Sequence, residues 1–375
     1  MRKILSAILA AILFLDAVSL ITLSVLKEKS GPSAGSSAVF EDVKIAIAGS
    51  NIISSELLTQ ASQRKTGGYD FFAAYENIAP IISGCDLALF THEGAVSSEH
   101  NPCGTALYNA PQELVESVAK CGFNAVSLAT GHAADFGEKG LINTIGAFAG
   151  GGLQVTGAYA SKDSRENLST ADVGGIKIAF ISFTASTVGN ALPQGSECSV
   201  ITSNEDTYIQ QMLSKSSKEA DFTIVLANWG NDNSEDISEE ISQKCQKLSS
   251  WGADVIVGTG GGIRKSEYIA RAGKNETLVV YSLGNLISSP TSVDEALGGI
   301  LTFTVSKNSQ TGETALSNEN IEGVVTHFGV NKTNIRLYPL SSYTKELCEM
   351  HGFYKAGGDF TLTALKEKIK NCYGF

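Results

Sequence analysis

The chain has 375 residues, 43% of them hydrophobic and 18% charged, enough apolar content for a packed core and too much for a disordered polymer. Its formal charge of −11 argues against nucleic acid as a partner, because phosphate binding needs a cationic surface.

After Arg2 and Lys3 comes ILSAILAAILFLDAVSLITLSVL, residues 4–26, closed by Lys27 and Lys29. As a helix this stretch covers about 35 Å, against a hydrocarbon core of roughly 30 Å. It predicts an uncleaved membrane anchor over residues 1–29, with a cytoplasmic N-terminus and an exterior remainder. The alternative is a signal peptide cut within PSAGSSA, residues 32–38. Asp16 costs about 3 kcal/mol at mid-span, which the flanking leucines and isoleucines outweigh. Without residues 1–29 the chain keeps 24 basic and 37 acidic residues, a net charge of −13.

Export changes how the cysteines read. None of the seven forms a C-x-x-C pair, so a zinc knuckle or thioredoxin-like site is disfavoured. Outside the membrane, Cys348 with Cys372 and Cys103 with Cys198 are candidate bridges, while Cys85 and Cys121 are expected as buried thiols.

Residues 30–41 form a polar linker, and strands then alternate with helices. VKIAIAG (43–49) reads as a buried strand, Tyr69–Ile82 as helical, and DLALFTHEG (86–94) as a strand. PQELVESVAKCG (111–122) carries helix start and stop signals and leads into NAVSLATGH (124–132). Glu138–Phe148 is helical, and GIKIAFISFT (175–184) is a strand. Helices over Asn204–Glu219 and Ser234–Trp251 flank the strand DFTIVLANWG (221–230). ADVIVGT (253–259), TLVVYSLGN (277–285) and GGILTFTVS (298–306) follow. Nearly continuous apolar strands predict sheets covered on both faces, hence a layered α/β domain over residues 42–340 with a helical tail, 341–375. Ligands in such a domain sit beyond the C-terminal ends of the strands.

Those ends read IAGSN (Ser50, Asn51), LFTHEG (His92, Glu93), LATGHAADFG (His132, Asp135), LANWGND (Asn228, Trp229, Asp232), VGTGGGIRK and YSLGN (Asn285). One or two polar side chains per strand end is how a metal-dependent hydrolase is built on this kind of sheet. VSLATGHAADFGEKGLINTIGAF, WGADVIVGTGGGIRKSEY and VVYSLGNLISS, in that order, resemble segments of the capsule-synthesis family that includes the poly-γ-glutamate capsule assembly proteins. The resemblance runs over most of residues 43–340. It implies a calcineurin-like metallophosphoesterase fold, a role in cell-envelope polymer assembly or export, and a metal centre.

The departures fall on that metal centre. The family's Gly-Asp is Gly49–Ser50 here, its Asn-Leu-Glu is Thr91–His92–Glu93, and its Asn-Asn-His is Thr130–Gly131–His132. Its His-Trp-Gly becomes Asn228–Trp229–Gly230, and its His-Pro-His becomes Gly260–Gly261–Gly262. Glu93, His132 and Asn228 remain as candidate ligands, with His92 and Asp232 as further ones. That set is too small for two metals, which need about three protein ligands each and a bridging carboxylate. No cofactor is therefore expected; the alternative is a single Mn, Zn or Fe ion. Glu93 and His132 read first as a residual hydrogen-bonded pair lining a former site, and Asp135 as the group that orients His132. His132 and Asp135 are also the only candidates for catalysis.

The glycine run matches neither a Walker loop nor a dinucleotide fingerprint. Gly260, Gly261, Gly262 and Arg264 remain candidates for an anion nest, against a plain loop left after the histidines vanished. His92 should point away from Glu93 by strand alternation, and His100, His327 and His351 read as surface or packing residues. Trp229 and Tyr281 read as core or pocket walls. The resulting expectation is a membrane-anchored exterior subunit that binds or scaffolds an envelope polymer or capsule-assembly proteins. The alternative is a metal-dependent hydrolase of phosphoester or amide bonds. The acidic surface suits poly-γ-glutamate poorly unless Arg264, Lys265, Arg271 and Lys274 form a basic rim.

Overall fold

The computed structural model describes residues 40–188, 191–230, 236–271 and 276–374. The expected membrane span lies outside these residues. Among the described ones, no helix is long and apolar enough to cross a membrane.

Two sheets dominate. The first is eight-stranded and is built around β1 (Phe40–Ile52), which pairs in parallel with β2 (Leu87–Glu93). Parallel β3 (Ala125–Ser127) and β4 (Gln154–Thr156) extend it on that side. The second sheet is six-stranded, and its first strands are the antiparallel pair β5 (Ser169–Val173) and β6 (Ile176–Thr184). From β6 it continues in parallel through β7 (Phe222–Asn228) and β8 (Val255–Thr259). Antiparallel β9 (Ile263–Ile269) forms the far edge, on β10 (Thr277–Leu283), which runs parallel to β8. The chain then returns to the first sheet. There β11 (Asn285–Ile287) pairs with the end of β1, and β12 (Leu297–Asn308), β13 (Thr314–His327) and β14 (Arg336–Pro339) add an antiparallel side.

Side-chain alternation explains how the sheets stack. Along β1, Val43, Ile45 and Ile47 join one core, whereas Ala46 and Ala48 join another. Along β7, Phe222, Ile224 and Leu226 meet that first core, whereas Val225 and Ala227 face a third. The shared core therefore lies between the two sheets. Helices α1 (Ser55–Arg64), α2 (Glu113–Cys121) and α3 (Gly137–Gly150) bury Leu57, Val118 and Phe148 on the outer side of the first sheet. Helices α4 (Asp206–Glu219) and α5 (Glu239–Trp251) bury Leu213 and Leu248 on the outer side of the second. The result is a helix–sheet–sheet–helix sandwich, and double coverage is why the parallel strands read as unbroken apolar runs.

Several local expectations change. The stretch Tyr69–Ile82 folds as two short turns, Phe72–Tyr75 and Ala79–Ile82, the second with Pro80 in its first turn. The tail packs into the inter-sheet core through Tyr343, Phe360, Leu365 and Tyr373, with α6 (Leu362–Tyr373) against β9. Neither Cys348–Cys372 nor Cys103–Cys198 forms a disulfide bridge. Cys121 is buried and its thiol is pushed up to about 12, while Cys85 is only half-buried.

Candidate functional site

The parallel strands of both sheets end at the same edge of the sandwich, and their last inward-facing residues meet there. A register shift after Ile47 sets Ser50 opposite Thr91 and Asn51 opposite His92. Thr91 and Glu93 share the inner face with Leu87 and Leu89, and Asn228 shares the inner face of β7 with Leu226. Glu93 and Asn228 thus point at each other across the layer. The Asn228 Nδ2 amide donates to Glu93 Oε1 at 2.8 Å.

Asn228 is committed at both ends. Its Oδ1 accepts from the Gly230 amide at 3.1 Å and from the Thr184 hydroxyl at 3.3 Å. Burial holds the Glu93 carboxyl above its ordinary range, and the His132 charge, Asn228, Thr130 and the His132 backbone oppose that shift. Glu93 Oε2 and the hydroxyls of Ser50, Thr91, Thr130 and Thr259 are buried and close no hydrogen bond of ordinary length among the described residues.

His132 turns elsewhere. Its Nδ1 lies 3.0 Å from Asp135 Oδ2, and that carboxylate oxygen also accepts from the Tyr108 amide at 2.9 Å. Hydrogen bonding to Asp135 raises the His132 pKa. The Tyr108 ring meets the imidazole edge-on at 4.7 Å. Among the described residues no side-chain hydrogen bond joins Glu93 and His132: each is bound to a different partner, although the two are near enough for their charges to act on each other. His92 lies on the opposite face of β2, 3.1 Å from the Asn51 amide and edge-on to Phe148 at 5.2 Å. Complete burial pushes its pKa down to about 4.

These residues do not fit a metal centre. A divalent transition metal wants about three anionic or imidazole donors, and hydroxyls are poor substitutes. The one oxygen Asn228 has to offer is already taken by two donors, and its NH₂ repels a cation while capping Glu93. Among the described residues, no three His, Cys, Asp or Glu side chains gather at metal-binding distance. Asp232 lies outside them.

Backbone packing explains two glycines of this stretch, Gly258 and Gly260. A Cβ on Gly258 would stand 1.9 Å from the Tyr281 carbonyl oxygen, and one on Gly260, at φ +90°, 2.3 Å from that of Gly230. Gly262 meets nothing within 4 Å. The Ser282 hydroxyl donates to the Gly260 carbonyl at 3.1 Å, and Arg264 is 1% exposed within β9. The basic rim does not form among the described residues. Arg264 is buried, Lys265 pairs with Glu267, and Arg271 pairs with Asp254, which precedes β8 at the opposite end of the sheet. Lys274 lies outside the described residues. Trp229 is a pocket wall, donating to the Tyr281 carbonyl at 2.9 Å. His327 and His351 are buried, and His100 lies 4.5 Å from the Phe136 ring.

Sequence reading missed the crosslinking role of Asn228, the Tyr108–Asp135 contact and the cleft beside them. The inner-face parity of Glu93 and Asn228 was the available signal for the first.

The family model for the bacterial capsule synthesis protein PGA_cap matches residues 44–290. Among curated proteins, the PGA biosynthesis protein CapA of Bacillus subtilis (strain 168) is 26% identical over 217 residues, 57% of this chain and 56% of that protein. The capsule biosynthesis protein CapA of Bacillus anthracis is 29% identical over 182 residues, 48% of this chain and 43% of that protein. The chain thus spans about half the length of the curated relatives it matches. Similar solved structures include one titled as a putative 5′-nucleotidase from Staphylococcus aureus, with TM-score 0.47 and 12% identity, covering 75% of this chain and 54% of that one. Another is the calcineurin-like phosphoesterase YfkN from Bacillus subtilis, with TM-score 0.44 and 13% identity, covering 87% and 99%.

Proposed function

Because the chain belongs to the bacterial capsule synthesis family, we propose that it works in envelope polymer assembly or export as a binding or scaffolding subunit without a catalytic metal. In this reading residues 1–29 anchor it in the cell membrane and the α/β domain lies outside the cytoplasm, where it meets the polymer or partner assembly proteins.

The observation that carries the reading is the hydrogen bond from Asn228 to Glu93. A carboxylate capped by an amide across the sheets is a structural crosslink, and it occupies Glu93 Oε1 and the Asn228 carboxamide, two of the groups that would have to hold an ion. Complementation tests it in a host whose polymer assembly depends on this chain. E93Q and H132Q should restore polymer to the wild-type level, whereas a hydrolase that uses these groups would lose output with both.

One observation favours the hydrolase alternative, with phosphoester or amide bonds as substrates. The Asp135 carboxylate holds His132 Nδ1 and raises the imidazole pKa, the arrangement of a general acid. Loss of polymer with H132Q alone, in a folded protein, would move the account to that reading.

A further inference from the structure

A cleft of about 470 Å³ opens at the end of β1 and around β11, lined in part by Ile52, Asn285 and Ser288 and next to Gly261. Its position beyond strand C-termini is where this kind of fold takes ligands. Asn285 supplies the most specific feature. It is 9% exposed and lines the cleft, and its carboxamide makes no hydrogen bond among the described residues. That carboxamide faces the open cleft, where it offers two donors and an acceptor at once. A sugar hydroxyl likewise donates and accepts, so the two match.

The remaining lining points the same way. Ser288, itself buried, adds a hydroxyl without a partner among the described residues, and Thr105 and Ser289 add further hydroxyls at the wall. The half-buried Tyr108 ring supplies an apolar face, the surface on which a pyranose ring stacks. Charge argues against a polyanion. Glu56 and Glu295 outnumber Lys332, whose ammonium is held by the Pro290 carbonyl and sits 3.9 Å from the Phe328 ring centroid. A chain bearing one carboxylate per repeat would meet two carboxylates and a cation already engaged.

We propose that this cleft binds a neutral, hydroxyl-rich polymer segment, a glycan, with Asn285 reading its hydroxyls and Tyr108 as the stacking wall. The assignment rests on the binding-subunit reading above and names its ligand class.

The test is calorimetric titration of the full chain, purified in a detergent without a sugar headgroup. The probes are neutral hexasaccharides from cellulose, chitin and starch, with a poly-γ-glutamate decamer as the anionic arm. At least one hexasaccharide should bind saturably. N285D and Y108A should each weaken it about tenfold or more, and the decamer should not compete. N285D keeps the size of the side chain and removes its donors, and thermal melts of both variants at the wild-type temperature exclude misfolding. Three results overturn the proposal: no hexasaccharide binding up to about 10 mM, binding that ignores both variants, or decamer binding lost in N285D. Repeating the titration with EDTA separates this inference from the reading beneath it. Binding that needs added Mn²⁺ contradicts the metal-free centre and leaves the glycan cleft standing. Binding unchanged by chelator supports both.

Discussion

The Asn228 carboxamide donates a 2.8 Å hydrogen bond to Glu93 Oε1 and so ties the end of a strand in one sheet to the end of a strand in the other. Removing the donor leaves a buried carboxylate uncapped, a loss of about 2–3 kcal/mol. N228A should therefore lower the unfolding free energy by that amount, read in urea titration as a lower midpoint at unchanged slope. E93Q keeps an acceptor and removes the charge. Burial raises the Glu93 pKa, so its ionisation opposes folding increasingly as pH rises through that raised value from the unfolded one near 4.3. The stability of E93Q relative to wild type should accordingly improve as pH rises. A relative stability independent of pH would contradict the burial account.

The His132–Asp135 pair predicts the opposite origin for a second pH effect. Asp135 raises the His132 pKa, so the pair's contribution is fully present below about pH 6.5 and is lost as pH rises through the folded value. NMR titration of the His132 ring should show that raised value, and D135N should return it toward or below the ordinary one. An unchanged His132 titration in D135N would show that Asp135 does not set it.

Acid should loosen the C-terminal tail. His351 lies stacked on Phe360 at 3.8 Å, with Nε2 directed at the Thr326 carbonyl at 3.2 Å and Nδ1 accepting from the Phe353 amide at 3.1 Å. Its neighbour His327 bonds the Tyr343 hydroxyl at 2.6 Å. Burial pushes both histidines down to about 4, so the unfolded chain binds more protons and stability falls as pH drops from about 6.5 toward 4. Hydrogen-exchange protection over Leu362–Tyr373, corrected for the slower intrinsic exchange in acid, should fall across that window, and less so in H327Q. Protection factors that stay flat from pH 7 to 4 would contradict it.

The glycine run offers a sharp contrast within five residues. G258A sets a methyl 1.9 Å from the Tyr281 carbonyl oxygen and should cost roughly 3 kcal/mol or more. G262A meets nothing within 4 Å and should change stability by less than about 0.5 kcal/mol. Equal effects in thermal melts would mean that close backbone approach is not why the run is glycine.

Much of the architecture was legible in the sequence because its parallel strands are covered on both faces. VKIAIAG, DLALF and ADVIVG could be little else. Among the strands that escaped notice, IRKSEYI, TALSNENIEGVVTH and RLYP carry charged or polar residues on partly exposed faces, so no apolar run marks them. The site was legible as a set of strand ends and not as a wiring diagram. Glu93, Asn228, His132 and Asp135 were all named, but which side chain satisfies which depends on the register shift in β1 and the alignment of two separate sheets. Asn285 stood at a strand end in the sequence, and only the fold places it in a cleft beside Tyr108.

Metal content tests the central claim most directly. Full-length protein, purified without chelator from cells supplied with Mn, Zn and Fe, should carry well under one ion per chain by mass spectrometry, and E93A should carry the same trace amount. One or two tightly held ions per chain, lost on Glu93→Ala, would contradict the account.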